Sequence, residues 1–204
     1  MGLLSIIKKQ KEKDREIRCL VIGLDNSGKS TIVNQLLSPE EREDKITPTI
    51  GFQIKSFSID DTYNVNLWDV GGQSSLRPFW ENYFTKTDVL MWCIDASLEV
   101  RFDESFQELK SLILNSGDRI GYECHVIIVL NKIDLLDYPE SRKTSLVKQF
   151  QARVRSRFQD GSDDIPAPEF ELNPEDNIDF IACSAVNGTG IESLKEAIIA
   201  DVLR

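Results

Sequence analysis

The chain has 204 residues, of which 41% are hydrophobic and 28% charged, as is typical of one globular domain with a full core. Its net charge of −10 argues against nucleic-acid binding, which requires a basic surface. No stretch approaches the ~18 apolar residues of a membrane span. Four cysteines are far apart and form no C-x-x-C pair, so we expect reduced core thiols and a cytoplasmic protein.

The first residues form a short apolar head on a charged shaft, and we predict that residues 1–16 are an amphipathic N-terminal extension. The chain begins Met-Gly, but the N-myristoylation pattern requires Ser or Thr at the sixth position, where this chain has Ile6. We therefore expect weak or absent membrane contact, and docking of the extension on the domain or on a partner. Residues 17–204 are predicted to be a single domain.

Residues 23–30 read GLDNSGKS and fit the pattern G-x-x-x-x-G-K-[ST], between a strand-like run and a stretch of helical periodicity. Backbone N–H groups of such a loop and the positive end of the following helix bind phosphates. Lys29 would bridge the outer phosphates, and the Ser30 hydroxyl would hold Mg²⁺. The predicted phosphate-binding residues are Gly23, Asp25, Asn26, Ser27, Gly28, Lys29, Ser30 and Thr31.

A polar loop follows, and then two apolar-rich runs, Phe52 to Ile59 and Tyr63 to Trp68, are separated by a polar turn. Their alternation predicts an antiparallel hairpin. In the first run the apolar residues stand at even-numbered positions at first (Phe52, Ile54) and at odd-numbered positions later (Phe57, Ile59). We therefore predict a register shift near Lys55.

The second of these runs leads into the sequence WDVGGQ at residues 68–73. A carboxylate at the end of a strand, Asp69, can reach a phosphate-bound metal, and the paired glycines that follow let the backbone approach the last phosphate. The next segment, residues 74–86, is rich in aromatic side chains and is either core or an exposed recognition surface. We favour the recognition surface.

Further along the chain, two apolar strands are predicted at Val89 to Ile94 and at Val126 to Leu130, with an amphipathic helix between them. The second strand is followed by the sequence NKID at residues 131–134, where a carboxylate can accept two N–H bonds from a guanine edge.

The last third of the chain is predicted to contain a basic helix at Glu140 to Phe158, a strand at Phe180 to Cys183 and a closing helix. Residues 160–177 lie between the basic helix and this strand and contain seven acidic residues and no Lys or Arg, which indicates an irregular acidic insertion.

These landmarks, in this order, resemble the guanine-nucleotide-binding domain of small GTPases. The phosphate loop, the segment PTIGF at residues 48–52 and the WDVGGQ sequence are similar to the Arf-like branch of the Arf family. The opening and residues 75–84 are similar to its tubulin-cofactor-associated subgroup. The resemblance implies an α/β fold with a six-stranded, mostly parallel sheet, one antiparallel edge strand and helices on both faces.

The resemblance also implies a role for each matching residue. Mg²⁺ would be held by Ser30 and Thr49, and by Asp69 through a water molecule. Catalysis would use Gln73 to orient the attacking water, with Lys29 and the Gly72 N–H holding the last phosphate. The residues implied to hold guanine are Asn131, Lys132, Asp134, Ser184 and Ala185. The residues implied to face effectors are Phe52, Trp68 and Tyr83.

The function implied is that of a GTP/GDP switch with slow intrinsic hydrolysis, assisted by an activating protein that supplies an arginine. The expected partner is a tubulin folding cofactor of the cofactor D type, with a location in the cytoplasm and on microtubules. Two alternatives remain open at this stage. One is a phosphate-loop ATPase or kinase, and the other is a scaffold that holds nucleotide with little cycling.

Overall fold

The computed structural model describes residues 16–59, 63–115, 124–136, 148, 152 and 178–200. The predictions for the N-terminal extension, the basic helix and the acidic insertion fall outside these residues, apart from Glu16, Lys148 and Ala152.

Six strands form one sheet in the order β2-β3-β1-β4-β5-β6. Their bounds are β1 Glu16–Ile22, β2 Phe52–Ile59, β3 Tyr63–Val70, β4 Val89–Asp95, β5 His125–Asn131 and β6 Ile178–Ala182. Strand β2 runs antiparallel to β3 at one edge, and every other neighbouring pair is parallel. The predicted fold class is therefore confirmed.

Three α-helices have both ends in the described part of the chain, and their bounds are α1 Lys29–Leu36, α2 Phe102–Asn115 and α3 Ile191–Ala200. The short 3-10 segments are Pro39–Glu41, Arg77–Tyr83, Glu99–Arg101 and Ile133–Leu135. Across the described residues, each helix is too short or too polar to cross a bilayer.

The sheet is covered on both faces, and each face has its own core. One core packs α2 and the Arg77–Tyr83 segment on the sheet, and the other packs α1 and α3 on the opposite face. Strands β4 and β5 lie between the two cores, which explains why they are continuously apolar. All four cysteines are buried and free, as predicted.

The hairpin formed by β2 and β3 is in regular register from Phe52 opposite Val70 to Ile59 opposite Tyr63, so the predicted register shift near Lys55 is wrong. The parity change has another cause. The first apolar residues of β2 lie on its exposed face, and the last ones lie on the face that packs on a core. The inner face begins instead with two polar side chains, Gln53 and Lys55, which have polar partners.

The aromatic segment divides between the two interpretations given above. Trp80 and Phe84 are buried, and the Trp80 indole N–H donates to the Gly71 carbonyl at 3.0 Å. Phe79 is 56% exposed. The segment is therefore anchored in the core by two rings and presents others at the surface.

Candidate functional site

The phosphate loop connects the end of β1 to the start of α1, and it is tightly packed. A Cβ atom on Gly23 would lie 2.2 Å from the Cys93 carbonyl oxygen, and Gly28 has a φ of +89°, so both positions favour glycine. Lys29 is buried, and its Nζ donates to the carbonyls of Gly23 at 2.9 Å and Leu24 at 2.8 Å. Burial lowers the pKa of Lys29. Among the described residues this buried cation is bonded to neutral carbonyls, an arrangement that suits an anionic ligand.

All three predicted metal-site residues meet beside this loop. Ser30 Oγ lies 2.8 Å from Thr49 Oγ1, which donates to Asp69 Oδ2 at 3.0 Å. Asp69 is fully buried, and its second oxygen, Oδ1, has no hydrogen-bond partner among the described residues. Hydroxyl and carboxylate oxygens are the ligands that Mg²⁺ takes, and a buried carboxylate oxygen without a donor is costly. The residues present therefore fit a magnesium ion.

The predicted γ-phosphate sensor, Gly72, lies against the phosphate loop. The Asp25 N–H donates to the Gly72 carbonyl at 3.1 Å. A Cβ atom on Gly72 would lie 2.4 Å from the Gly23 carbonyl oxygen, so only glycine fits there. Gln73, which follows, is exposed. The structure therefore brings Gly72 against the phosphate loop and leaves Gln73, the next residue, accessible to solvent.

Two arginines that the sequence analysis missed tie the same region together. Arg101, before α2, donates to the Asp25 carbonyl at 3.0 Å and to Asp25 Oδ1 at 2.8 Å. Arg77 donates to the Gly72 carbonyl at 3.2 Å, and its guanidinium lies 2.8 Å from Glu104 and 2.9 Å from Glu108. Arg77 lies in the segment that carries the subgroup resemblance and Arg101 lies in no motif, but both are far from the loop in the sequence and neither was assigned a contact with it.

This ion network shifts the pKa values of Asp25, Glu104 and Arg101. The hydrogen bond from Arg101 holds the pKa of the Asp25 carboxyl below its ordinary value, and the same arginine lowers the pKa of Glu104. The hydrogen bonds to Glu104 and Asp25 raise the pKa of Arg101. The phosphate loop is thus held to α2 and to the residues after Gly72 by charged contacts.

The predicted guanine-binding side is organised around Asn131. Its side chain is buried, and Nδ2 donates to the Ser27 carbonyl at 2.9 Å while Oδ1 accepts from the Ala185 N–H at 3.0 Å. Lys132 has a φ of +64° and donates to Asp95 Oδ2 at 2.7 Å. Asp134 is exposed in the 3-10 turn that follows. Asn131 therefore joins the phosphate loop to the loop that carries Ala185, and Asp134 lies at the surface.

The remaining predicted ligand-binding residues lie in the phosphate loop, in α1 and in the loop after β6. Asn26 is exposed in the loop with a φ of +60°, and Thr31 is part of α1. Ser184 is buried, and its hydroxyl accepts from the Asn187 N–H at 3.3 Å, which shapes the loop that carries Ala185.

The three predicted effector-facing rings form one cluster at the hairpin edge. Phe52 and Trp68 are stacked with ring centroids 5.6 Å apart, and Phe52 and Tyr83 are 5.3 Å apart. The Arg18 guanidinium lies 3.8 Å from the Trp68 ring centroid. Phe52 is 47% exposed, so the cluster is available for contact.

The fold and this loop arrangement define a phosphate-loop nucleotide-binding protein, and comparisons with known proteins agree. The ADP-ribosylation factor family profile matches residues 3–202. The chain is 42% identical over 135 residues to ADP-ribosylation factor-like protein 2 of Drosophila melanogaster. The matched stretch covers 66% of this chain and 70% of the relative. A solved structure of the Arl6 (BBS3) small GTPase from Trypanosoma brucei, with the bound nucleotide analogue GppNp, has a similar fold. Its TM-score is 0.70 at 21% identity, over 93% of this chain and 98% of that one.

The chain therefore belongs to the ADP-ribosylation factor family. It is an Arf-like small GTPase, a GTP-binding switch of a family whose members hydrolyse GTP.

Proposed function

We propose that this protein is a Mg²⁺-dependent GTP/GDP switch with slow intrinsic hydrolysis, which acts on tubulin folding through a folding cofactor of the cofactor D type. The observation that carries the switch is the meeting of Ser30, Thr49 and Asp69 at one point. They come from the start of α1, the loop before β2 and the end of β3. A ligand bound at that point contacts all three segments at once.

Mg²⁺ bound there would offset the charge of the triphosphate and stabilise charge in the transition state. The donors in this chain are the hydroxyls of Ser30 and Thr49 and the carboxylate of Asp69. Lys29 lies under the loop with a lowered pKa, and an arriving phosphate gives its buried charge an ionic partner.

For hydrolysis, we propose that Gln73 orients the attacking water and that the Gly72 N–H holds the last phosphate. Of the arginines that the structure describes, the two that contact the loop region are both paired with carboxylates, Arg101 with Asp25 and Glu104, and Arg77 with Glu104 and Glu108. An arginine supplied by an activating protein is worth about 10³–10⁵ in rate. This pairing supports slow intrinsic hydrolysis and assistance by a partner.

For base selection, we propose that Asp134 accepts the N–H donors of guanine, with Lys132 and the Ser184–Ala185 loop completing the pocket. Adenine offers no matching pair of donors, and polar sites of this kind discriminate by about 10⁴ or more. The exposed position of Asp134 supports direct contact with a base.

The partner proposal rests on the aromatic cluster and on the sequence resemblance. Phe52 and Trp68 lie on the hairpin that follows the Thr49 loop, and Tyr83 lies at the end of the segment after Gln73. A partner that covers these rings therefore contacts both nucleotide-sensing segments. The resemblance to the tubulin-cofactor-associated subgroup favours a tubulin folding cofactor, and that partner implies a cytoplasmic, microtubule-associated location.

Calorimetry with purified cofactor D tests this proposal. The protein is loaded with GTPγS or with GDP, and we expect at least about a tenfold difference in affinity, which is a coupling of about 1.4 kcal/mol. Phe52→Ala is expected to remove most of the binding, and the exposed Ser56→Ala is its control in the same strand.

Equal affinity for the two loaded forms would contradict the switch and favour the scaffold alternative. Binding by neither form would contradict the choice of partner and leave the nucleotide chemistry unaffected.

A further inference from the structure

Gln53 lies on β2 directly opposite Asp69 of β3 in the antiparallel register. Its side-chain Nε2 donates to Asp69 Oδ2 at 2.8 Å and approaches Thr49 Oγ1 at 3.5 Å. No nucleotide-binding motif of the chain includes this residue. Its amide nevertheless contacts two of the three groups that fit a magnesium ion.

The contacts on the Asp69 carboxylate are unequal. Oδ2 accepts from both the Thr49 hydroxyl and the Gln53 amide, whereas Oδ1 has no partner among the described residues. Two donors on one oxygen fix the rotation of the carboxylate. The remaining oxygen is then kept as the acceptor for another ligand.

We propose that Gln53 is a positioning residue for the magnesium site, which orients the Asp69 carboxylate and thereby sets the affinity for Mg²⁺. This inference rests on the Mg²⁺-dependent switch proposed above. Groups that orient metal ligands through hydrogen bonds typically change metal affinity by about 10–100-fold when they are mutated. Because Gln53 belongs to β2, the same bond links the metal site to the hairpin that carries Phe52 and Trp68.

A purely structural role for the bond is the main alternative. Cross-strand side-chain pairs stabilise hairpins in general. The same hairpin contains a second such pair, in which Ser56 Oγ donates to Asn66 Oδ1 at 2.7 Å. Ser56→Ala therefore removes a comparable cross-strand bond without touching Asp69, and it serves as the matched control.

The experiment measures the release of N-methylanthraniloyl-GDP from the full chain while free Mg²⁺ is varied, and again in excess EDTA. Gln53→Met keeps the side-chain length but loses the donor. We expect it to raise the Mg²⁺ concentration for half-maximal retention by about tenfold or more. Gln53→Asn keeps an amide on a shorter side chain and is expected to give a smaller shift. In EDTA, the release rates of all variants should agree within about twofold of the wild type, since no metal is left to be positioned.

A wild-type Mg²⁺ requirement for Gln53→Met would overturn the inference. The inference would also be overturned if Gln53→Met increased the release rate by the same factor in Mg²⁺ and in EDTA, or if Ser56→Ala raised the Mg²⁺ requirement as much as Gln53→Met does. Each of these results indicates that the bond has a structural role only. If Gln53→Met does not fold, the same criteria apply to Gln53→Leu, which also lacks the donor. If retention by the wild-type protein did not depend on Mg²⁺ at all, the proposed function itself would fail, which is a different result from the failure of Gln53 alone.

Discussion

The Asn131 side-chain amide donates to the Ser27 carbonyl at 2.9 Å, while its oxygen accepts from the Ala185 N–H at 3.0 Å. One buried amide at the end of β5 thus joins the phosphate loop to the loop that follows β6. Gly28 must lack a side chain here, because a Cβ atom would lie 2.2 Å from Asn131 Nδ2. The predicted base-side and phosphate-side halves of the site are thus joined by hydrogen bonds from one side chain.

Asn131→Ala is therefore expected to weaken GDP and GTP binding alike and to lower the free energy of unfolding by about 1–3 kcal/mol, because buried partners lose their bonds. Asp134→Asn is the contrasting variant, which should change the stability by less than about 0.5 kcal/mol and shift preference from guanine to xanthine nucleotides. Binding titrations with GDP and XDP, together with urea unfolding, measure both effects. An unchanged base preference in Asp134→Asn would contradict the role given to that carboxylate.

Gln73→Leu is expected to slow GTP hydrolysis stimulated by an activating protein by at least about 100-fold, because the attacking water is no longer oriented. Nucleotide affinity should stay within about threefold, since the Gln73 side chain is exposed beside the loop. Single-turnover hydrolysis measures the first quantity and fluorescent-nucleotide titration the second. Unchanged single-turnover rates would exclude this role for Gln73.

Glu104→Gln tests the ion network around Asp25. Because the Arg101 hydrogen bond lowers the pKa of Glu104, its stabilisation is present above the ordinary glutamate pKa of about 4.3 and is lost as the pH falls through the lower folded-state value. The pair is partly exposed, so the difference at pH 7 should be under about 1 kcal/mol.

The measurement is urea unfolding of wild type and Glu104→Gln from pH 7 down to about 3, with the exposed Glu196→Gln as control. The gap between wild type and Glu104→Gln should close with acidification, and the control should show little gap at any pH. A gap that widens towards acid pH would contradict the direction of the shift.

Substitutions at two adjacent aromatic residues after Gln73, Phe79 and Trp80, should have different effects on stability and on partner binding. Trp80 is buried, donates to the Gly71 carbonyl and packs edge-on with Trp92, with ring centroids 5.6 Å apart. Trp80→Phe should lower stability by about 1–3 kcal/mol. Phe79→Ala should leave the stability nearly unchanged and weaken partner binding. Thermal unfolding and calorimetry with the partner separate these outcomes, and a large loss of stability in Phe79→Ala would contradict the structure.

Sequence patterns predicted the parts of this protein that depend on local chemistry. The phosphate loop, the apolar strands β4 and β5 and the metal-site candidates Ser30 and Asp69 follow from motifs and periodicity, whereas the part of Thr49 in that site was implied only by the resemblance. The resemblance supplied the sheet architecture. The parity change in β2 was misread because Gln53 and Lys55 occupy inward positions with polar partners, which hydrophobic alternation does not anticipate.

Long-range ionic and amide contacts could not be predicted. Arg77 and Arg101 meet Asp25 across 52 and 76 positions of sequence, and no pattern in the sequence pairs either arginine with that residue. The hydrogen bonds of the Asn131 side chain could not be predicted either. Its motif indicates a contact with the base, whereas in the folded chain both the nitrogen and the oxygen of the amide bond to backbone groups.

The central claim is that the segments around Thr49 and Gly72 respond to the third phosphate. Hydrogen–deuterium exchange of the protein loaded with GTPγS and with GDP, both in saturating Mg²⁺, tests it most directly. We predict slower exchange in residues 45–54 and 69–77 in the GTPγS form, with little change in β4 and β5. Identical exchange in those two segments would contradict the claim.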